Sequence, residues 1–263
     1  VLMDVFWQTG RTGNVTPVSR VAPVVVSGVT VENTTLHNKG EVERLGIMIG
    51  DKVRVVRRGD VIPKITEVLG PAHDSDLIDR SHSDGTPFSE SLPSRSEIPV
   101  PERCPRCSTD LIIDGAFIRC TNIDCPSRLE RGILYWCRKL GMDGIGEKLA
   151  EQLCSSGLVT RLGDLYRLED REQELISLDR MAEKSASNVL AELNSTRAMT
   201  FSTFISALGL PRIGPEIATL VCAEVRNLEE LIQMTEERQE AVQRLVSIDR
   251  VGETVANLLL DGI

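Results

Sequence analysis

Four cysteines have the spacing of a metal centre. Cys104-x2-Cys107 is followed, after twelve intervening residues, by Cys120-x4-Cys125. Two such short knuckles can set four thiolates at the corners of a tetrahedron, the arrangement zinc accepts. Pro105 and Pro126 suit tight turns beside the ligands. Between the pairs, Leu111-Ile112-Ile113 and Ala116-Phe117-Ile118-Arg119 flank Asp114-Gly115, a hairpin signal. The piece reads as a zinc ribbon. Four thiolates leave no open position for water, so the expected Zn2+ is structural and replaces a core that about 25 residues cannot build. Two disulfides, or four unrelated thiols, are the alternative. The chain holds seven cysteines and opens on no export signal, which implies a reducing compartment where clustered cysteines mean metal. Cys137, Cys154 and Cys222 fall on apolar helical positions and read as buried thiols.

A second pattern recurs four times: Ile145-Gly146-Glu147-Lys148-Leu149-Ala150, Met181-Ala182-Glu183-Lys184-Ser185-Ala186, Ile213-Gly214-Pro215-Glu216-Ile217-Ala218 and Val251-Gly252-Glu253-Thr254-Val255-Ala256. The intervals of 36, 32 and 38 residues mark a repeated supersecondary unit. Each segment joins two helix-like stretches, as in a helix-hairpin-helix motif. A tight loop there exposes the first N–H groups of the following helix, which can hold a DNA phosphate without reading a base. Gly144, at the loop start of the first copy, is matched by Arg180, Arg212 and Arg250, which could each add a phosphate contact. Ala182 replaces the expected glycine in the second copy; it would be strained if the position needs a positive φ. The alternative is a plain helical bundle with glycines at helix ends.

These residues must be positioned by the surrounding elements. Short Val- and Ile-rich runs up to Leu69, punctuated by Gly and Pro, predict strands, with one helix over Lys39–Leu45 closed by Gly46. Strands with one short helix suggest a small OB-type barrel, although a plain β-barrel or sandwich fits the same pattern. The Pro- and Ser-rich stretch 71–102 is linker-like, and His73 and His82 within it are expected to be solvated. Beyond Ser127 the 3–4 spacing of apolar residues predicts helices. The expected fold class is therefore multidomain α and β: an OB-fold domain over 1–102 with an acidic linker from about 71, a zinc finger over 103–127, and an all-α tandem of four helix-hairpin-helix repeats over 128–263. The net charge of −9 argues at first against a nucleic-acid partner. It divides as +2 over 1–70, −4 over 71–103, +2 over 104–140 and −9 over 141–263. Binding through backbone amides tolerates that balance. No apolar run reaches the ~20 residues of a membrane span.

In this order the modules resemble the C-terminal part of bacterial NAD-dependent DNA ligases. The strings that carry the resemblance are Gly10-Arg11-Thr12-Gly13-Asn14-Val15-Thr16-Pro17-Val18, Thr34-Thr35-Leu36-His37-Asn38, Ile49-Gly50-Asp51-Lys52-Val53 and Gly59-Asp60-Val61-Ile62-Pro63-Lys64. The family's A-T-L-H-N string here has Thr in first place. The resemblance implies that Arg11 and Thr12 contact phosphates beside a nick and that Arg57, Val61 and Ile62 face the DNA groove. It further implies that Gly146, Gly214 and Gly252 are the hairpin glycines, and that Cys104, Cys107, Cys120 and Cys125 hold zinc. Barrel core is the alternative for Val61 or Ile62, since alternation buries only one of two neighbours. His37 is expected to cap or pack the strand–helix junction.

In that family a lysine in a K-x-D-G motif takes AMP from NAD+ and passes it to the 5′-phosphate at a nick, and the 3′-hydroxyl then displaces it. No K-x-D-G occurs in the chain, and no adenylation or BRCT domain is recognisable in it. The expectation is a monomeric DNA clamp that binds nicked duplex without sequence preference and does not ligate alone. NAD+ and Mg2+ would act only through the catalytic domains. The expected location is the bacterial cytoplasm, on the nucleoid. A stand-alone DNA-binding protein is the alternative, and a nuclease accessory subunit with paired hairpins a weaker one.

Overall fold

The computed structural model describes residues 1–57 and 63–263, in two compact units, Val1–Cys125 and Pro126–Ile263. In the first unit β1 (Leu2–Thr9) runs antiparallel to the long β2 (Asn14–Val26). β3 (Val29–Thr35) returns along β2 through Ser27 and Gly28, both left-handed, as a two-residue hairpin turn requires. Helix α1 (Lys39–Leu45) begins at Asn38, whose side chain accepts from the Glu41 N–H, and ends at left-handed Gly46. The short β4 (Met48–Ile49), then β5 (Asp51–Val56) and β6 (Lys64–Pro71) follow, with β6 joined to β3 by the parallel pair Thr35 and Lys64. The short β7 (Ser96–Glu97) pairs with β4. β8 (Leu111–Asp114) and β9 (Phe117–Cys120) form the hairpin between the cysteine pairs.

The large sheet runs β5-β6-β3-β2-β9-β8, with β1 also paired to β2. This is the OB-type order with the ribbon hairpin added to β2. Among the described residues the ladder does not close into a barrel. β1 and the start of β5 are bridged by one bond, from Gly50 N–H to the Leu2 carbonyl at 2.9 Å. The sheet, helix α1 and Ile98 enclose one core: Leu2, Val5, Val21, Val31, Leu36, Val42, Ile47, Ile65 and Ile98.

Residues 71–102, linker-like by composition, fold back onto this sheet. Phe88 and Leu92 pack with Val1, Met3, Ala22 and Ala72. The Trp7 indole donates to the Pro99 carbonyl at 2.9 Å and Arg80 to the Pro23 carbonyl at 2.7 Å. Arg95 meets the fully buried Asp51 carboxylate at 2.7 Å. His82, expected in solvent, is half-buried between Glu32 (3.0 Å) and the Phe88 ring. The segment is held by side chains reaching main-chain carbonyls, a bonding mode without sequence periodicity.

The second unit contains α2 (Pro126–Lys139), α3 (Glu147–Ser155), a 3-10 stretch Leu162–Arg171 leading into α4 (Glu172–Ile176), α5 (Glu183–Ser195), α6 (Phe201–Leu208), α7 (Pro215–Glu224), α8 (Leu228–Glu236), α9 (Arg238–Val246) and α10 (Glu253–Leu260). Its apolar residues gather into two cores. One holds Ile133, Trp136, Leu153, Leu165, Leu175, Val189 and Leu193, and the other Ile213, Val221, Leu231, Leu245, Leu259 and Leu260. Phe204 and Leu208 pack against both. One core is built mainly on α2 to α5 and the other on α6 to α10.

Candidate metal centre and nucleic-acid interface

The four cysteines converge. Their Sγ atoms all lie within 4.8 Å of one another. Cys104 and Cys125 are 3.8 Å apart, and Cys107 and Cys120 are 3.5 Å apart. Those separations are too long for disulfides, which need about 2.05 Å. They match the edge of a thiolate tetrahedron, about 3.8 Å for metal–sulfur bonds of about 2.3 Å. Cys104, Cys120 and Cys125 are buried, packed with Val15 and Ile118. The donor set and geometry fit a closed metal site with no place for a reacting water.

The cluster is built into the first unit and braces its β1–β2 turn. The Cys120 N–H donates to the Gly13 carbonyl at 2.8 Å, and Thr9 Oγ1 lies 3.1 Å from Cys104 Sγ. Arg11 and Thr12, both half-buried, sit in this turn between Gly10 and Gly13, whose own bond is 2.9 Å. The sequence did not place this loop beside the cysteines. On the other side of the ribbon, Gly40 N–H donates to the Ala116 carbonyl at 3.0 Å. A Cβ on Gly40 would come within 2.7 Å of the Ala116 Cβ, so only glycine lets α1 meet the hairpin tip.

Arg57 lines a recess with Thr30, Glu32, Asn33 and Pro63. Val61 and Ile62 lie outside the described residues. His37 is exposed with φ 59°, and the cap of α1 belongs to its neighbour Asn38. Cys137 is buried, and burial pushes its thiol up to about 12. Cys222 is half-buried and is raised to about 11 by the same cause.

In the second unit all four hairpins share the same helix start. The residue before each helix has an extended backbone: Gly146 (φ −89°), Ala182 (−102°), Gly214 (−91°) and Gly252 (−84°). None of the four requires a positive φ, so Ala182 is unstrained there. Each carbonyl accepts from the repeated alanine, Ala150, Ala186, Ala218 or Ala256, at 2.9–3.0 Å, and all four alanines are fully buried. The left-handed residue lies two positions earlier, at Arg180 (φ 59°), Arg212 (63°) and Arg250 (62°). An arginine in that region costs about 1–3 kcal/mol. Among the described residues the N-cap side chain caps none of the helices α3, α5, α7 and α10, which leaves their first N–H groups without that partner.

A Cβ on Gly146, Gly214 or Gly252 would meet nothing within 4 Å. The fold itself does not ask for glycine at these three places. Ser, Thr, Asp or Asn would cap the helix better. What glycine supplies is an uncovered approach to the amides.

Residues 1–76 match the family model of the NAD-dependent DNA ligase OB-fold domain, and residues 140–195 that of the SAM-like helix-hairpin-helix tandem. The chain is similar to proteins named DNA ligase from Koribacter versatilis (35% identical over 96% of this chain), Cellvibrio japonicus (38% over 99%) and Nitrosococcus oceani (37% over 92%). It spans 34–35% of the length of these relatives. The chain thus carries the OB-fold domain of the NAD-dependent DNA ligase family, followed by a helix-hairpin-helix tandem, and corresponds to about a third of the DNA ligases it resembles.

Proposed function

We propose that this part of a DNA ligase grips duplex DNA by its backbone, without sequence preference, at the nick that the whole enzyme would seal. The observation that carries the reading is the glycine at three uncapped helix starts, where the fold has room for a side chain and none is present. A helix N-terminus offers several N–H donors and the positive end of the helix dipole, which together suit a phosphate. Gly146, Gly214 and Gly252 let that phosphate approach, and Arg212 and Arg250, with Gly144 in the first copy, hold the loop start. On the first unit Arg11 and Thr12 supply phosphate contacts, and Arg57, Val61 and Ile62 face the groove. Backbone donors explain how a chain of net charge −9 can bind DNA.

The cysteine cluster holds one Zn2+, which supplies rigidity and no reaction step. We infer that the chain acts as a monomer, and that NAD+ and Mg2+ act through a catalytic domain carrying the K-x-D-G lysine. That motif is missing from these 263 residues. The test is a titration of nicked and intact duplex at low salt, with bound zinc counted per chain. The expected result is one zinc per chain and binding that weakens as salt rises. A chain that binds neither duplex would overturn the reading.

A further inference from the structure

The first hairpin departs from the other three in one backbone detail and one side chain. In hairpins two to four the turn is closed by the N–H of Met181, Ile213 or Val251 donating to the carbonyl of Leu178, Leu210 or Ile248, each at 3.1 Å. The left-handed arginine precedes that N–H in each case. In the first hairpin the arginine is replaced by Gly144, which lies outside the left-handed region, and the closing bond is not present among the described residues. Instead the Gly144 N–H donates to Glu192 Oε2 at 2.9 Å, from a helix 48 residues further on. A Cβ on Gly144 would lie 2.9 Å from that oxygen and 3.2 Å from Val189 Cγ2. Glycine thus leaves room for the carboxylate, which a side chain at this position would have to shift.

Among the described residues no Lys or Arg pairs with Glu192, although many acidic residues of this chain are paired. Its partner is the loop amide, two residues before Gly146. A carboxylate presents one negative charge over two oxygens, the nearest a side chain comes to the free oxygens of a phosphodiester. Hydrogen bonds to such an ionised acceptor are the stronger kind.

We propose that Glu192 holds the loop start of the first hairpin, beside the helix amides that would take a phosphate, and that an arriving DNA phosphate must displace it. The proposal rests on the phosphate-holding reading above. It makes Glu192 a determinant of DNA affinity and salt response: the first hairpin opens to DNA only when the carboxylate swings away. Glu216 provides a comparison, since it pairs with the Arg250 guanidinium and leaves the loop amides untouched. Both partners of that pair are well exposed, so it contributes little.

The experiment titrates a fluorescent nicked duplex with the 263-residue chain and its Glu192→Gln, Glu192→Ala and Glu216→Gln variants across a salt series. Both Glu192 variants are expected to bind about two- to fivefold tighter. Their plots of log affinity against log salt should steepen by up to about one, the equivalent of one more neutralised phosphate. Glu216→Gln should gain less. Equal or weaker binding by both Glu192 variants, with the wild type binding normally, overturns the inference alone. Failure of the wild type to bind duplex overturns it together with the reading beneath it. If either variant is less stable, the Gly144 amide resonance of the wild type decides. It should shift as duplex is added and return as salt is raised, and an unmoved resonance contradicts the displacement.

Discussion

Gly214 separates what the fold needs from what a ligand needs. Its backbone is extended, a Cβ would meet open space, and the following Pro215 already fixes the start of the helix. Gly214→Val should therefore fold as the wild type does and lose about tenfold in DNA affinity, because the branched side chain covers one phosphate's donors. A melting temperature more than a few degrees lower would mean that the glycine is structural after all. Ala182 was expected to be strained if its site needed a positive φ. The site does not, so Ala182→Gly should leave stability nearly unchanged and tighten DNA binding modestly. The glycine pattern was legible in the sequence, but the left-handed arginine two places earlier was not. Arginine has no preference for that region, and only the closed turn reveals it. Cys137 carries a pH prediction at the same scale. Burial lifts its thiol from an ordinary value near 9 to about 12. The folded chain then holds the proton more tightly than the unfolded one. Its contribution is intact below about pH 9 and is lost as pH climbs towards 12. Cys137→Ala should flatten the alkaline fall in unfolding free energy over that range. An unchanged slope would show that the thiol is not buried in solution.

Between residue and molecule stand the ribbon and the strap that residues 71–102 form against the sheet. The ribbon was readable because metal coordination imposes short spacings on the chain, and four thiolates have few other uses in that pattern. Which part of the protein the ribbon braces was not readable. It depends on Cys120 N–H meeting the Gly13 carbonyl, a contact between segments more than a hundred residues apart. Removing the metal should thus loosen the Arg11–Thr12 turn first. Amide exchange at Gly10 to Asn14 is expected to rise on chelation before the strands β3 and β6 become labile. Simultaneous exchange across the whole first unit would contradict this local bracing. The strap misled composition for a different reason. Its prolines and serines suit turns as well as linkers, and its anchors are a main-chain carbonyl here and a buried carboxylate there. Arg95→Ala leaves the Asp51 carboxylate buried, with the Met48 N–H as its remaining partner. Arg95 is itself half-exposed, so the cost should be about 1–3 kcal/mol in denaturant unfolding. No measurable cost would show that the strap detaches in solution.

At the scale of the whole molecule, net charge bears on the proposed DNA partner. The larger acidic excess lies in residues 141–263, the same residues that carry the four hairpins. Amides and helix dipoles present positive ends without adding to the charge count. The hairpins repeat that presentation, so on the proposed reading affinity would be the sum of several weak and unequal grips. The chain lacks a K-x-D-G lysine, and incubation with NAD+ and Mg2+ should add no AMP to it; labelling would overturn that expectation. The central claim is backbone recognition by the hairpin glycines. It is tested most directly by comparing the wild type with the triple variant Gly146→Val, Gly214→Val, Gly252→Val on two nicked duplexes of unrelated sequence, with helix content checked by circular dichroism. The account predicts equal wild-type affinity for both duplexes and a loss of more than about tenfold on each in the triple variant. Retained binding by a folded triple variant, or a loss confined to one sequence, would contradict it.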